Sequence, residues 1–213
     1  MDILTPFQKA VLKRIGDSTL AASFFLTGGT ALSAFYLQHR YSEDFDFFTD
    51  EPEQVPQVLS VLEEIAADLG IRVEIRRQFK TFLEVFLHGQ QGEIIKCDFA
   101  QNAPYRLQPK VRSEEFGIFL DNALDVSCNK LSALFDRSEA KDFVDVFFIV
   151  RELFPFADLL KNAKQKHAGL DDYWLAAAMS KVEELGPLPR MVKPVQVDEL
   201  RSFFLALART LMQ

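Results

Sequence analysis

The stretch Phe24–Phe48 switches its apolar spacing twice, and that switch limits what the chain can become. FFLT (Phe24 to Thr27) is a short continuous apolar run ending on Gly28-Gly29, the pattern of a buried strand entering a tight turn. TALSAFYLQ (Thr30 to Gln38) then places Leu32, Phe35 and Tyr36 at helical spacing. Past Arg40, DFDFFT (Asp44 to Thr49) alternates acids with aromatics, the period-two signature of a strand with one polar face. Strand, glycine turn, helix and strand in such close succession point to a mixed sheet with helices packed on it.

The flanking segments agree. Thr5, Pro6 and Gln8 form a capping-box start to a helix that Gly16 ends. Pro52 and Pro56 bracket a loop, and Val58–Leu69 is an amphipathic helix closed by Gly70. Strands are expected at Ile71–Arg77, Thr81–His88 and Glu93–Phe99, the last two joined as a hairpin through Gly89 to Gly92. Ala100–Glu115 reads as a loop with an edge strand. From about Leu124 the pattern is helical, with helices expected at Asp125–Phe135, Ala140–Phe154, Phe156–Lys166, Asp171–Leu185 and Asp198–Leu211. The expected fold class is α+β: a mixed sheet flanked by helices over residues 1–120, then a helical part over 121–213.

Composition narrows the function classes. With 24 basic and 31 acidic residues the chain carries a net charge of −7, which argues against coating nucleic acid by bulk charge but not against a local basic groove. Arg106, Lys110 and Arg112 form one modest basic stretch. Phe alone contributes 21 residues, ample volume for a core. No apolar stretch reaches the roughly 18 residues of a membrane span, and the amphipathic start does not read as a signal peptide. Cys97 and Cys128 lack metal-ligand spacing, so buried free thiols in a reducing cytoplasm are expected. His39, His88 and His167 are too scattered for a zinc site or a catalytic triad, and Trp174 and the Phe-rich helices are expected in the core.

The chemistry-bearing residues cluster in the first half. Asp44 and Asp46 lie two apart on a strand, so both carboxylates face the same way. Like charges at 4 Å repel by about 1 kcal/mol in water and about 4 kcal/mol at an effective dielectric of 20, so such a pair calls for a cation, a proton or solvent. Hard divalent cations prefer carboxylate oxygens. Asp98, in EIIKCDFA, becomes a third ligand if its strand neighbours Asp44–Phe48; otherwise it is a cap or loop partner. Gly28-Gly29 lets backbone N–H groups approach an anion at a helix start, and Thr30 and Ser33 add hydroxyls. The dinucleotide fingerprint and the Walker motif are both absent. Asp142 and Asp145 share a helix face; Lys130 could reach a triphosphate, and Lys141 could simply pair with Asp145 on a surface helix.

GGTALSAFYLQHRYSEDFDFF resembles the signature of the AbiEii/AbiGii-type nucleotidyltransferases, a toxin family in the DNA polymerase β-like superfamily. The Arg40-x-Ser42-x-Asp44 lead-in, Lys130 in CNKLSALFDR, and Lys141-Asp142-Phe143-Val144-Asp145 extend the likeness, over about Phe24 to Phe148. The resemblance implies transfer of an NMP from an NTP to an acceptor hydroxyl, with Mg²⁺ or Mn²⁺ on Asp44, Asp46 and Asp98. It implies catalytic roles for those acids and for Lys130 and Asp145. Nucleotide binding would fall to Gly28, Gly29, Thr30, Ser33, Ser42, Lys130 and Asp142. The acceptor would be a tRNA-like RNA end or a protein, and an antitoxin is an implied partner. Two other readings remain: a non-catalytic nucleotide- or partner-binding module on the same fold, and an antibiotic-type small-molecule nucleotidyltransferase.

Overall fold

A computed structural model describes residues 3–102 and 105–212, so Ala103 and Pro104 of the expected loop lie outside the described residues. The chain divides into two compact units. One comprises the residues up to Ala34 with Ser42–Tyr105 and Pro109–Asn122; the other comprises Phe35–Tyr41, Arg106–Gln108 and the chain from Ala123 onward.

The first unit begins with α1 (Pro6–Gly16), whose Thr5 side chain accepts from the Gln8 backbone while the Gln8 side chain accepts from the Thr5 backbone. A short α2 (Leu20–Ser23) leads into β1 (Phe25–Thr27), and the chain turns at once into α3 (Gly28–Ala31). A π-helical turn over Leu32–Leu37 continues α3, its last residues Phe35–Leu37 belonging to the second unit; such a helix widening is often found at functional sites. β2 (Phe45–Thr49), α4 (Val58–Leu69), β3 (Arg72–Phe79), β4 (Phe82–His88), β5 (Ile94–Gln101), β6 (Val111–Arg112) and β7 (Phe119–Leu120) complete it. Gly70 ends α4 at φ 65°, a left-handed cap that glycine adopts without strain.

These strands form one mixed sheet in the order β3-β4-β5-β2-β1-β7-β6, with β2 parallel to β5 and β1 parallel to β7. One face is apolar: Phe45, Phe47, Leu83, Val85, Leu87, Cys97 and Phe99 are buried on it, and Phe47 stacks on Phe99. The alternate positions Asp46, Phe48, Lys96 and Asp98 stay half-exposed on the other face. β7 was not foreseen, because two residues carry no period; its partner β1 lies far away in sequence.

The second unit holds α5 (Ala123–Arg137), α6 (Ala140–Glu152), α7 (Phe156–Lys166), α8 (Asp172–Ser180) and α9 (Val197–Leu211). α5 packs against α6, α7 and α8, and α9 against α6 and α8. Phe143, Phe147, Phe203 and Phe204 meet edge-to-face where α6 and α9 cross. Trp174 departs from the expected core placement: it is 63% exposed beside Tyr173, because α8 buries its opposite side through Leu175, Ala176, Ala178 and Met179. Both cysteines are buried thiols outside any disulfide. Among the described residues no helix is long and apolar enough to cross a membrane.

Candidate active site

Strand register builds the site in the first unit. β2 pairs with β1 so that Asp46 lies opposite Thr27, and with β5 so that Asp46 lies opposite Asp98. Alternation along β2 puts Asp44, exposed just before the strand, on the face of Asp46. Gly28 follows Thr27 at φ 70°, and a Cβ there would collide with the Asp46 carboxylate at Oδ2. Only glycine fits both demands, so the Asp46 carboxylate lies directly against the backbone bend.

The hydroxyls of the turn have backbone partners. Thr30 Oγ1 donates to the Asp44 carbonyl at 2.5 Å and Ser33 Oγ to the Gly29 carbonyl at 2.8 Å; both residues are fully buried. Thr30 thereby ties the start of α3 to the residue that carries the first acid. The Ser42 carbonyl accepts from Gln8 Nε2 at 3.0 Å, which fixes the approach to Asp44 from α1.

Asp98 sits beside Asp46 but is held by Lys96, whose Nζ lies 2.5 Å from Asp98 Oδ2. Its other oxygen, Oδ1, is buried without a hydrogen-bond partner. Burial raises the Asp98 pKa above the ordinary carboxyl value; Lys96 opposes this, and Glu84 and Asp44 add to it. Among the described residues no three His, Cys, Asp or Glu side chains form a ready-made metal cage. Still, the donor set is all carboxylate, one oxygen is orphaned, and like charges crowd one face. That combination fits a hard divalent cation.

In the second unit, Asp145 is a buried hub. Its carboxylate accepts from His39 Nε2 at 2.7 Å, from Arg40 Nε at 2.7 Å and Nη2 at 2.9 Å, and from Lys130 Nζ at 2.8 Å. Burial alone would raise its pKa; the charges of Lys130 and Arg40, with the hydrogen bonds from Arg40 and His39, hold it well below the ordinary value. Burial lowers the His39 pKa and outweighs Asp145, and the ring Nδ1 is buried without a hydrogen-bond partner. Asp142 is also fully buried: Arg137 grips both its oxygens at 2.8 Å, and Oδ2 takes the Glu139 N–H as a helix cap. Lys141 pairs with Glu139 at 3.0 Å rather than with Asp145, whose side chain points inward.

The comparisons with known proteins bear on this geometry. The family model described as nucleotidyl transferase AbiEii toxin, type IV toxin–antitoxin system, matches residues 10–211. The chain belongs to that family. An uncharacterized protein of Aquifex aeolicus (strain VF5) is 33% identical over 165 residues, 77% of this chain and 76% of its own length. Two solved structures share the fold. JHP933 from Helicobacter pylori has a TM-score of 0.62 at 19% identity, over 95% of this chain and 88% of its own. MenT4, a nucleotidyltransferase toxin from Mycobacterium tuberculosis, has a TM-score of 0.60 at 13% identity, over 97% and 82%.

In this AbiEii-family chain, sequence reasoning missed three side chains around the acids. Lys96 stands two residues before Asp98 on the same strand face, a spacing that could have flagged it. Glu84 lies opposite Asp98 across β4–β5, and Asp121 Oδ2 accepts from Thr27 Oγ1 at 2.9 Å; only the tertiary pairing shows either. The residues of the basic stretch Arg106, Lys110 and Arg112 fall in both units. Arg106 belongs to the second unit, while Lys110 pairs with Asp50 at 3.3 Å and Arg112 lies over Phe119.

Proposed function

We propose that the chain is a Mg²⁺- or Mn²⁺-dependent nucleotidyltransferase that moves an NMP from an NTP to an acceptor hydroxyl, on an RNA end or a protein, as the toxin of a toxin–antitoxin or phage-defence system. The observation that carries this reading is the Asp46 carboxylate lying against the Gly28 bend, opposite Asp98 across β2 and β5 and two residues from Asp44 in the chain. Asp44 and Asp46, with Asp98 adjacent, are the groups that would hold the cation, which when bound supplies charge neutralisation at the phosphates. Gly28 and Gly29 leave the backbone open to the triphosphate at the start of α3. Thr30 and Ser33 act by fixing that turn, and Ser42 by fixing the approach to Asp44. Asp142 holds Arg137, and Asp145 positions Lys130 and Arg40 within their own unit. In the reaction the acceptor oxygen bonds to the α-phosphorus and the bond to the bridging oxygen breaks. Pyrophosphate leaves, and the hydroxyl proton passes to water. Catalysis of this kind is positioning plus charge neutralisation and needs no Cys or His nucleophile.

The test is NTP consumption in Mg²⁺ by the wild type and by the double variant Asp44→Ala, Asp46→Ala, with circular dichroism confirming that both fold. The double variant should lose at least 100-fold in turnover, in line with the loss of one preorganised charge-stabilising group; retained activity removes these acids from the mechanism. Labelled NTP offered separately to total RNA and total protein identifies the acceptor class. One observation favours a second reading: Lys96 already places a cation on Asp98, as a nucleotide-binding module without turnover could. Tight NTP binding by calorimetry with no product on either acceptor would establish it.

A further inference from the structure

The half-exposed sheet face that carries the acids continues away from them into a strip of arginine and phenylalanine. Register places Asp98 opposite Glu84, Lys96 opposite Phe86 and Ala100 opposite Phe82, so Phe82 and Phe86 share the face of Asp46 and Asp98. On the edge strand β3 the pairing shifts between Ile75 and Arg77, leaving Arg76 as the extra residue of a bulge. Successive strand residues normally point to opposite faces. Here the bulge turns both arginines to one face: Arg76 lies over the Phe86 ring at 5.2 Å and Arg77 over the Phe82 ring at 5.6 Å. Phe79, opposite Phe82, is 63% exposed at the end of the strip.

An edge strand rich in cations has a plain explanation, since charge and bulges discourage unwanted strand pairing. That accounts for the arginines but not for Phe79, because an apolar ring in water invites the association such guards prevent. Bulk charge does not explain the strip either. Residues 72–80 hold Arg72, Arg76, Arg77 and Lys80 against one acid, Glu74, in a chain of net charge −7. Arg76 and Arg77 pair with Glu74 at 2.9 Å and Glu84 at 2.7 Å, yet their side chains are 57% and 61% exposed. The Arg76–Glu74 pair contributes about 0–1 kcal/mol, so a phosphate can take over that guanidinium; Arg77 stays paired with the buried Glu84 and presents its solvent-facing edge.

We propose that this strip, Phe79, Phe82 and Phe86 with Arg76, Arg77 and Lys96, is a docking platform for a single-stranded polynucleotide. A base would stack on the exposed Phe79 ring, beside the half-buried Phe82 and Phe86, while the cations take the phosphates, an arrangement that tolerates any base sequence. The path to the acids runs across the strands: Arg77 lies opposite Glu84, Glu84 opposite Asp98 and Asp98 opposite Asp46, three inter-strand steps of about 4.8 Å that put the strip about 14 Å from Asp46. The inference deepens the nucleotidyltransferase reading by supplying the acceptor class, but its test needs neither NTP nor metal.

The test is fluorescence anisotropy of the full chain with a labelled 12-residue oligouridylate across a salt series, with no NTP or Mg²⁺ present. Phe79→Ala should weaken binding about tenfold and leave the salt slope unchanged, the mark of lost stacking. Arg76→Glu with Arg77→Glu should weaken it more than tenfold and reduce the slope of log K against log salt by about 1.4, from about 0.7 per phosphate contact on a single strand. An oligodeoxythymidylate of the same length binding within a few-fold supports the proposal, since rings and cations do not read the sugar. Thermal melting checks that each variant folds, and Phe79→Ala, at an exposed position, serves if the charge reversals do not. Unchanged RNA binding in both variants overturns the proposal, and so does displacement of RNA by oligoglutamate at equal charge, which would mark a site for acidic peptides. Asp44→Ala with Asp46→Ala should lose turnover and keep RNA binding, so the two readings fail separately: turnover retained in that variant counts against the acids, and RNA binding unchanged in the strip variants counts against the platform.

Discussion

Gly28 shows how much one position can decide. Its left-handed backbone and the absence of a side chain let the Asp46 carboxylate rest against the bend. Gly28→Ala is expected to cost at least about 1–2 kcal/mol from the left-handed conformation alone, with a further cost for displacing Asp46. Urea unfolding gives the first effect and NTP turnover the second; a variant with wild-type stability and rate would contradict the placement. His39 makes a separate expectation. Its folded pKa is lowered from 6.5 by burial, so below pH 6.5 the unfolded chain takes up a proton that the folded chain excludes. Stability from this residue is therefore full above pH 6.5 and falls as pH drops, by at most about 1.4 kcal/mol per pH unit. Denaturant midpoints at pH 7.5 and 5.5 should diverge more for wild type than for His39→Gln.

Among the elements, α1 was readable almost to the atom, because a capping box is a local contract between residues three apart. The same holds for Gly70 after α4 and for the helix starts after residue 120. What could not be read was that Gln8 has a second task, donating to the Ser42 carbonyl on the way to Asp44. Thr5→Ala should cost about 1 kcal/mol of stability and leave turnover alone. Gln8→Ala should cost more and also slow turnover, since it frees the segment leading to the acids; equal effects on both measurements would leave that bond without a role. The bulge in β3 and the two-residue β7 were equally hidden, because each is defined by its partner strand and not by its own sequence.

For the molecule as a whole, the acids on the open sheet face give an expectation that does not depend on turnover. If they hold a divalent cation, Mn²⁺ or Mg²⁺ at ten times its dissociation constant stabilises the folded protein by about 1.4 kcal/mol. Thermal melting should rise with the cation in wild type and stay flat in Asp44→Ala with Asp46→Ala; a flat wild-type curve removes the cation from this face. The second unit makes a complementary point. Lys130, Asp142 and Asp145 carry charges that sequence spacing allows on a surface helix, yet all three are buried. Asp145 collects donors from Arg40 and His39, more than a hundred positions away along the chain.

The amino-acid order by itself determined the local architecture: helix starts and stops, the glycine turn, the alternation that puts Asp44 and Asp46 on one face. Those follow from backbone stereochemistry and from periods of two and 3.6 residues, which neighbouring residues suffice to express. Tertiary structure alone decided the partners. It set Asp46 against Gly28, gave Asp98 to Lys96, sank Asp145 beneath three cationic and imidazole donors, and swung two adjacent arginines onto a single sheet face. Charges choose their partners by distance and burial, and both exist only after remote segments have packed.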